Sequence, residues 1–249
     1  MKNIGFLLLV ILVCSCSKDK KLPFRLLALN ECFDFAESMG QQTGPKNFVS
    51  FEYEGREIIY SEIDGFQSRV TNRARVITST PEINLGEANP VISSVDFLLT
   101  NRIGVANAPT PDGMSTFSIM CNSLESKSLV DLIDENLKVG RLPLTKKPFD
   151  VESQEDVEYE GFSVEIACLY CCKDDLPRPQ SGNTYNPYES IHPDQNGYIE
   201  CTKLIREDLG SKVRYEVDFE FEVALYLISR DYVGEITNGK MSIDFELDK

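Results

Sequence analysis

The stretch Val213-Arg-Tyr-Glu-Val-Asp-Phe-Glu-Phe-Glu-Val-Ala-Leu-Tyr-Leu227 sets an apolar side chain at every odd position and, from Arg214 to Glu222, a charged one at every even position. A period of two is the signature of a strand with one face in a core and the other in water. Fifteen residues at ~3.4 Å each span about 50 Å, long for a single strand, so a bulge or bend is expected within it. Downstream, Met241, Ile243, Phe245 and Leu247 alternate in the same way. Between the two runs, Thr237-Asn238-Gly239-Lys240 reads as a type I′ hairpin turn, because both central residues tolerate positive φ. The chain is therefore expected to end in a β-meander.

Upstream the pattern recurs in shorter pieces. Val49, Phe51 and Tyr53 alternate with Ser50 and Glu52, and Glu54-Gly55 leads into a second apolar arm over 58–63, which predicts a hairpin. Apolar runs at 74–77, 91–99 and 117–121 are separated by turn-rich stretches such as Gly86-Glu-Ala-Asn-Pro90 and Asn107-Ala-Pro-Thr-Pro-Asp-Gly113. A further strand is expected over 162–170. Ser128 to Leu137 predicts a helix: Ser128 caps it, Asp131 stands three residues on, and Leu129, Leu132, Ile133 and Leu137 share a face. The spacing predicts a mainly β fold over residues 47–249, an antiparallel β-sandwich or open barrel with one or two short helices.

The amino-terminal segment has a different composition. Lys2 precedes an apolar run over 4–13 that ends in Val13-Cys14-Ser15-Cys16. A run of about ten apolar residues has signal-peptide length and is too short to span a bilayer as a helix. Its end resembles the lipobox of bacterial lipoproteins, in which a small residue precedes a cysteine that is cleaved at its amino side and carries the lipid. Cys16, preceded by Ser15, fits that role better than Cys14, preceded by Val13. Ser17-Lys18-Asp19-Lys20 resembles the polar segment that follows this cysteine in Bacteroidetes surface lipoproteins. The carboxy-terminal strands, with Gly197-Tyr-Ile ahead of them, are similar to those of β-sandwich lipoproteins of the same group, which implies a fold and no activity. The resemblance implies a signal peptide over 1–15, a lipidated tether with a short helix at 22–39 within 16–46, and an outer-membrane anchor facing the periplasm or the cell exterior.

Loss of residues 1–15 removes one Lys and no acid, so the formal charge of -15 becomes -16. Such a chain repels nucleic acid, and no nucleic-acid role is expected. Cys32, Cys121, Cys168, Cys171, Cys172 and Cys201 remain besides the lipidated Cys16. Export favours disulfides or buried free thiols over a zinc site, with Cys168, Cys171, Cys172 and Cys201 the candidates and the pairing left open. No metal or other cofactor is expected. The acidic run over 150–160 reads as a solvated loop and edge strand. Asp194-Gln-Asn196-Gly197 matches the middle of a calcium loop, but His192 and Lys203 fall where that loop needs acids, so a plain turn is expected.

Nothing in the sequence forms a nucleophile elbow, a zinc-protease helix or a phosphate-cradling glycine loop. Forty acids leave a carboxylate pair of the glycosidase kind unlocated. The expectation is a non-catalytic binding or structural role at the membrane, with a glycan or a protein as partner. The alternative is a glycan-binding or glycan-processing accessory lipoprotein. It draws on the long loop over 173–196 and its neighbour Tyr198, where Tyr185, Tyr188, His192 and Tyr198 are the candidate ligand residues. Aromatic platforms are needed for sugars, and the chain has no Trp.

Overall fold

The computed structural model describes residues 24–44, 47–76, 91–100, 114–123, 128–145, 160–169, 185–190, 196–227 and 232–249. The alternating stretch forms β10 (Lys212–Leu227), and the run after it forms β11 (Tyr232–Asp248). The remaining strands are β1 (Phe48–Tyr53), β2 (Arg56–Ser61), β3 (Gln67–Val76), β4 (Val91–Thr100), β5 (Met114–Ser123), β6 (Gly140–Leu142), β7 (Gly161–Leu169), β8 (Tyr185–Glu189) and β9 (Gly197–Asp208). Two helices accompany them, α1 (Phe24–Met39) and α2 (Leu129–Asn136).

The strands follow one hydrogen-bonded path, β2-β1-β11-β10-β8-β7-β5-β4-β3, with β9 on β10 and β6 on β9. This path folds over into two antiparallel layers. One holds β2, β1, β11, β10, β9 and β6; the other holds β8, β7, β5, β4 and β3. They join where the last residues of β10, Tyr226 and Leu227, pair with Glu189 and Tyr188. Among the described residues the ladder does not close on itself, because β2 and β3 are its two ends. The fold is a mainly β antiparallel sandwich, as the alternation predicts, with two α-helices among the described residues.

The odd-numbered residues of β10 from Val213 to Leu225 are all buried. Their rings meet rings of the other layer: Phe219 lies 5.5 Å from Phe97 of β4, and Phe221 lies 5.4 Å from Phe117 of β5. Phe117 also stands 5.4 Å from Phe51 of β1. Such aromatic pairs add about 0.5–1.5 kcal/mol each beyond their buried area, so they fix how the layers lie on each other.

β10 runs unbroken, and its length is accommodated by extra residues in its partners. Opposite Asp218 and Phe219, β9 advances from Lys203 to Cys201 and leaves Thr202 over. Opposite Phe221 and Val223, β11 advances from Gly239 to Ile236 and leaves one residue over. Asn238 is there, at φ 52. The expected Asn-Gly hairpin is thus a bulge inside β11, which pairs on both sides, with β10 and β1. A bulge and a type I′ turn both need a residue at positive φ, so the dipeptide by itself does not separate them.

The Glu54-Gly55 turn joins β1 to β2 with both residues at positive φ, as expected for a hairpin. The expected loop over 173–196 holds a strand instead, β8, which links β7 to β10. A second link between the layers runs over 140–145. It pairs with β9 through β6, and then Leu144 bridges in parallel to Phe162 of β7. Thr145 N–H donates to Phe162 O at 2.9 Å, and Phe162 N–H to Pro143 O at 2.7 Å.

The helices pack at opposite ends of the core. In α1, Leu29, Phe33 and Ala36 are fully buried on one face, and Phe33 sits 5.6 Å from Phe51 and 5.1 Å from Tyr53. α1 is thus part of the core. Arg56 of β2 ties it down through Asp34 and Glu37. In α2, the Ser128 hydroxyl accepts from Asp131 N–H at 3.2 Å, the expected cap, and Val130, Leu132 and Ile133 are buried. Asp134 of α2 accepts from Tyr215 Oη at 2.8 Å and from Arg206 Nε at 3.0 Å, near the start of β10.

Candidate functional site

Of the residues singled out in the sequence, Tyr198 is the one whose surroundings are described most fully. It lies near the start of β9, opposite Glu222 of β10. The Arg141 guanidinium of β6 covers its ring, 3.5 Å from the centroid, and Arg141 Nε also pairs with Glu200 at 3.1 Å. The arrangement follows from the ladder, since Arg141 stands directly opposite Glu200 in the β6–β9 pair. Burial, then the charge of Glu222, raises the Tyr198 phenol above its ordinary value. A half-buried ring with a guanidinium on one face is an ionic and cation–π clasp that fastens β6 to β9.

Tyr185 and Tyr188 fall in β8, opposite Leu169 and Ile166 of β7. Cys16 and His192 lie outside the described residues, and so do Cys171 and Cys172. Cys168 is in β7, opposite Asn186. Cys201 is a free thiol, fully buried in the core, and donates to Lys203 O at 3.3 Å. Burial pushes its pKa up to about 11 and that of Cys121, a second buried free thiol, up to about 12. Both are protonated and inert at neutral pH, because the thiolate is the reactive form. Among the described residues no three His, Cys, Asp or Glu side chains gather as a metal site would require.

The outer face of the β9–β10–β11 layer carries paired charges. Arg214 Nε donates to Asp244 at 2.9 Å and its other end reaches Glu216 at 3.3 Å; Lys203 pairs with Glu216 at 2.7 Å, and Lys212 with Glu246 at 3.1 Å. Arg214 and Glu216 of the alternating stretch thus meet partners across the ladder. The hydrogen bond from Arg214 holds the Asp244 carboxyl below the usual carboxylate range.

The outer face of the other layer is unlike it. Asp96 of β4 and Glu165 of β7 are buried, and no other carboxylate among the described residues is. They belong to neighbouring rungs, Asp96–Met120–Ser163 and Leu98–Ser118–Glu165. Two strand spacings across and two residues along put their backbones about 12 Å apart. Ser94, Ser118, Ser163 and Ser190 are buried with them. The Oγ atoms of Ser118 and Ser163 have no hydrogen-bond partner among the described residues. Sequence reasoning missed this face because serines and acids alternating with apolar residues read as a solvated side. Burial of two carboxylates and four serines on one face makes a polar layer removed from water.

No protein-family model, no curated protein and no solved structure matches the chain.

Proposed function

We propose that the chain is a lipid-anchored cell-envelope protein whose β-sandwich has a non-catalytic binding or structural role, held at the outer membrane and facing the periplasm or the cell exterior. The observation that carries this reading is the apolar run over 4–13 ending in Ser15-Cys16. The packing of α1 supports it, because a rigid core element begins only eight residues after Cys16. A fully extended chain of that length reaches at most about 29 Å, so a lipid on Cys16 would keep the sandwich close to the bilayer. Among the described residues no helix is long and apolar enough to cross a membrane. The described polar groups are in keeping with a non-catalytic role: the buried thiols are protonated, Arg214, Lys203 and Lys212 of the outer face are paired, and Asp96 and Glu165 are buried.

Mass spectrometry of the protein isolated from membranes tests the anchor. The expected result is a mature chain beginning at Cys16 and carrying acyl groups, and Cys16→Ala should move the protein out of the membrane fraction. An unmodified Cys16, with membrane association untouched by the substitution, would sink the proposal.

A further inference from the structure

β9 is paired on one side over its whole length by β10, but on its other side β6 covers only Ile199 to Cys201. Among the described residues no strand pairs with positions 202–208 on that outer side. An open strand edge is a template for another strand, and proteins commonly protect such edges with charges that repel a second copy. The charges here are placed otherwise. Lys203 and Glu207 have opposite signs and sit symmetrically about Ile205, an exposed apolar residue at 47% exposure on the same face.

We propose that this edge is a self-association surface, on which β9 of a second copy of the chain pairs antiparallel about a two-fold axis at Ile205. In that register Ile205 meets Ile205 of the second copy, Lys203 faces Glu207 of the second copy, and the reverse pair repeats on the other side of the axis. Directly opposed residues of an antiparallel pair are the ones whose side chains interact, so the edge is complementary to itself in charge and in its apolar centre. A shift by one residue in either strand loses the pairing, which fixes the register. The pairing spans positions 202–208 and stops where Gly140 of β6 takes the edge opposite Cys201. The ion pairs that Lys203 and Glu207 make within their own chain, with Glu216 and Arg214, lie on the β10 side and extend into a ladder across both copies.

Ile205→Cys in the full chain, purified in mild detergent and treated with copper–phenanthroline, tests the arrangement. Directly opposed Cα atoms of an antiparallel pair are about 4.5–5.5 Å apart, within the range a disulfide spans. The expected product is a reducible species of twice the mass of the uncross-linked chain, formed several-fold faster than from the exposed control Tyr232→Cys. Adding Lys203→Glu should slow the cross-link several-fold by setting like charges opposite each other, and adding Glu207→Lys as well should restore it. Equal rates for the two cysteine variants, or a rate indifferent to the charge changes, would overturn the proposal. A monomer mass by light scattering for the unsubstituted protein at the highest attainable concentration would overturn it as well, independently of how any variant folds.

Discussion

Asn47 donates from its side-chain nitrogen to Ser68 of β3 at 2.6 Å and to the Asp244 carbonyl of β11 at 3.1 Å, and its side-chain oxygen accepts from Asp244 N–H at 2.7 Å. One amide thus stitches the two layers near the unclosed ends of the ladder. Asn47→Ala removes three part-buried hydrogen bonds that join β3, β11 and the start of β1, so a loss of about 1–2 kcal/mol is expected in urea denaturation with an unchanged slope. Asp244 itself makes stability depend on acid. Its folded pKa is lowered by Arg214, so the ionised carboxylate is the form the fold favours. That contribution is fully present above the unfolded value near 4 and is lost as pH falls through the lowered folded value. The pair is partly exposed, so the effect is at most about 1 kcal/mol. Denaturation midpoints of Asp244→Asn should therefore lie below the parent at pH 7 and approach it at pH 3. A gap that persists at pH 3 would assign the loss to something other than the charge.

At the scale of the elements, the crossing of 140–145 onto β7 depends on Gly161. Its φ is +131°, and a Cβ there would come 2.9 Å from Pro143 O and 3.0 Å from Thr145 N, both backbone atoms that cannot swing aside. Gly161→Ala is expected to cost roughly 1–3 kcal/mol through backbone strain and displacement of that segment. A melting temperature equal to the parent's would show that the link between layers tolerates more movement than its hydrogen bonds suggest. The cap of α2 provides a milder test: Ser128→Ala removes the acceptor for Asp131 N–H and should cost about 1 kcal/mol, read from the same unfolding curves. The elements also show how far local patterning reaches. The β1–β2 hairpin, β10 and α2 were legible because turn residues, period and cap agree at each. The inside position of α1 was not, because a stretch such as Leu26-Leu-Ala-Leu-Asn30 fits an amphipathic surface helix and a core helix alike.

For the whole molecule, the informative comparison is thermal unfolding with oligosaccharides, with calcium and with a chelator. A ligand present at about a hundred times its dissociation constant stabilises the folded state by about 2.7 kcal/mol, enough to raise the midpoint. A structural or protein-partner role predicts no shift with any of them. A rise with one glycan class that Tyr198→Ala removes would replace that role with the glycan-binding one. What the sequence by itself determined is the part governed by local rules: the predominance of strands and the inward and outward faces of β10, both read from period and composition. Which strands pair was decided by tertiary structure. So were the Asn238 bulge in place of a turn, the β8 strand within an expected loop, and the burial of Asp96, Glu165 and their serines on a face patterned like a solvated one. Each of these depends on what lies across the ladder or on top of it, and contacts between residues far apart in the chain leave no periodic trace in the order of the residues themselves.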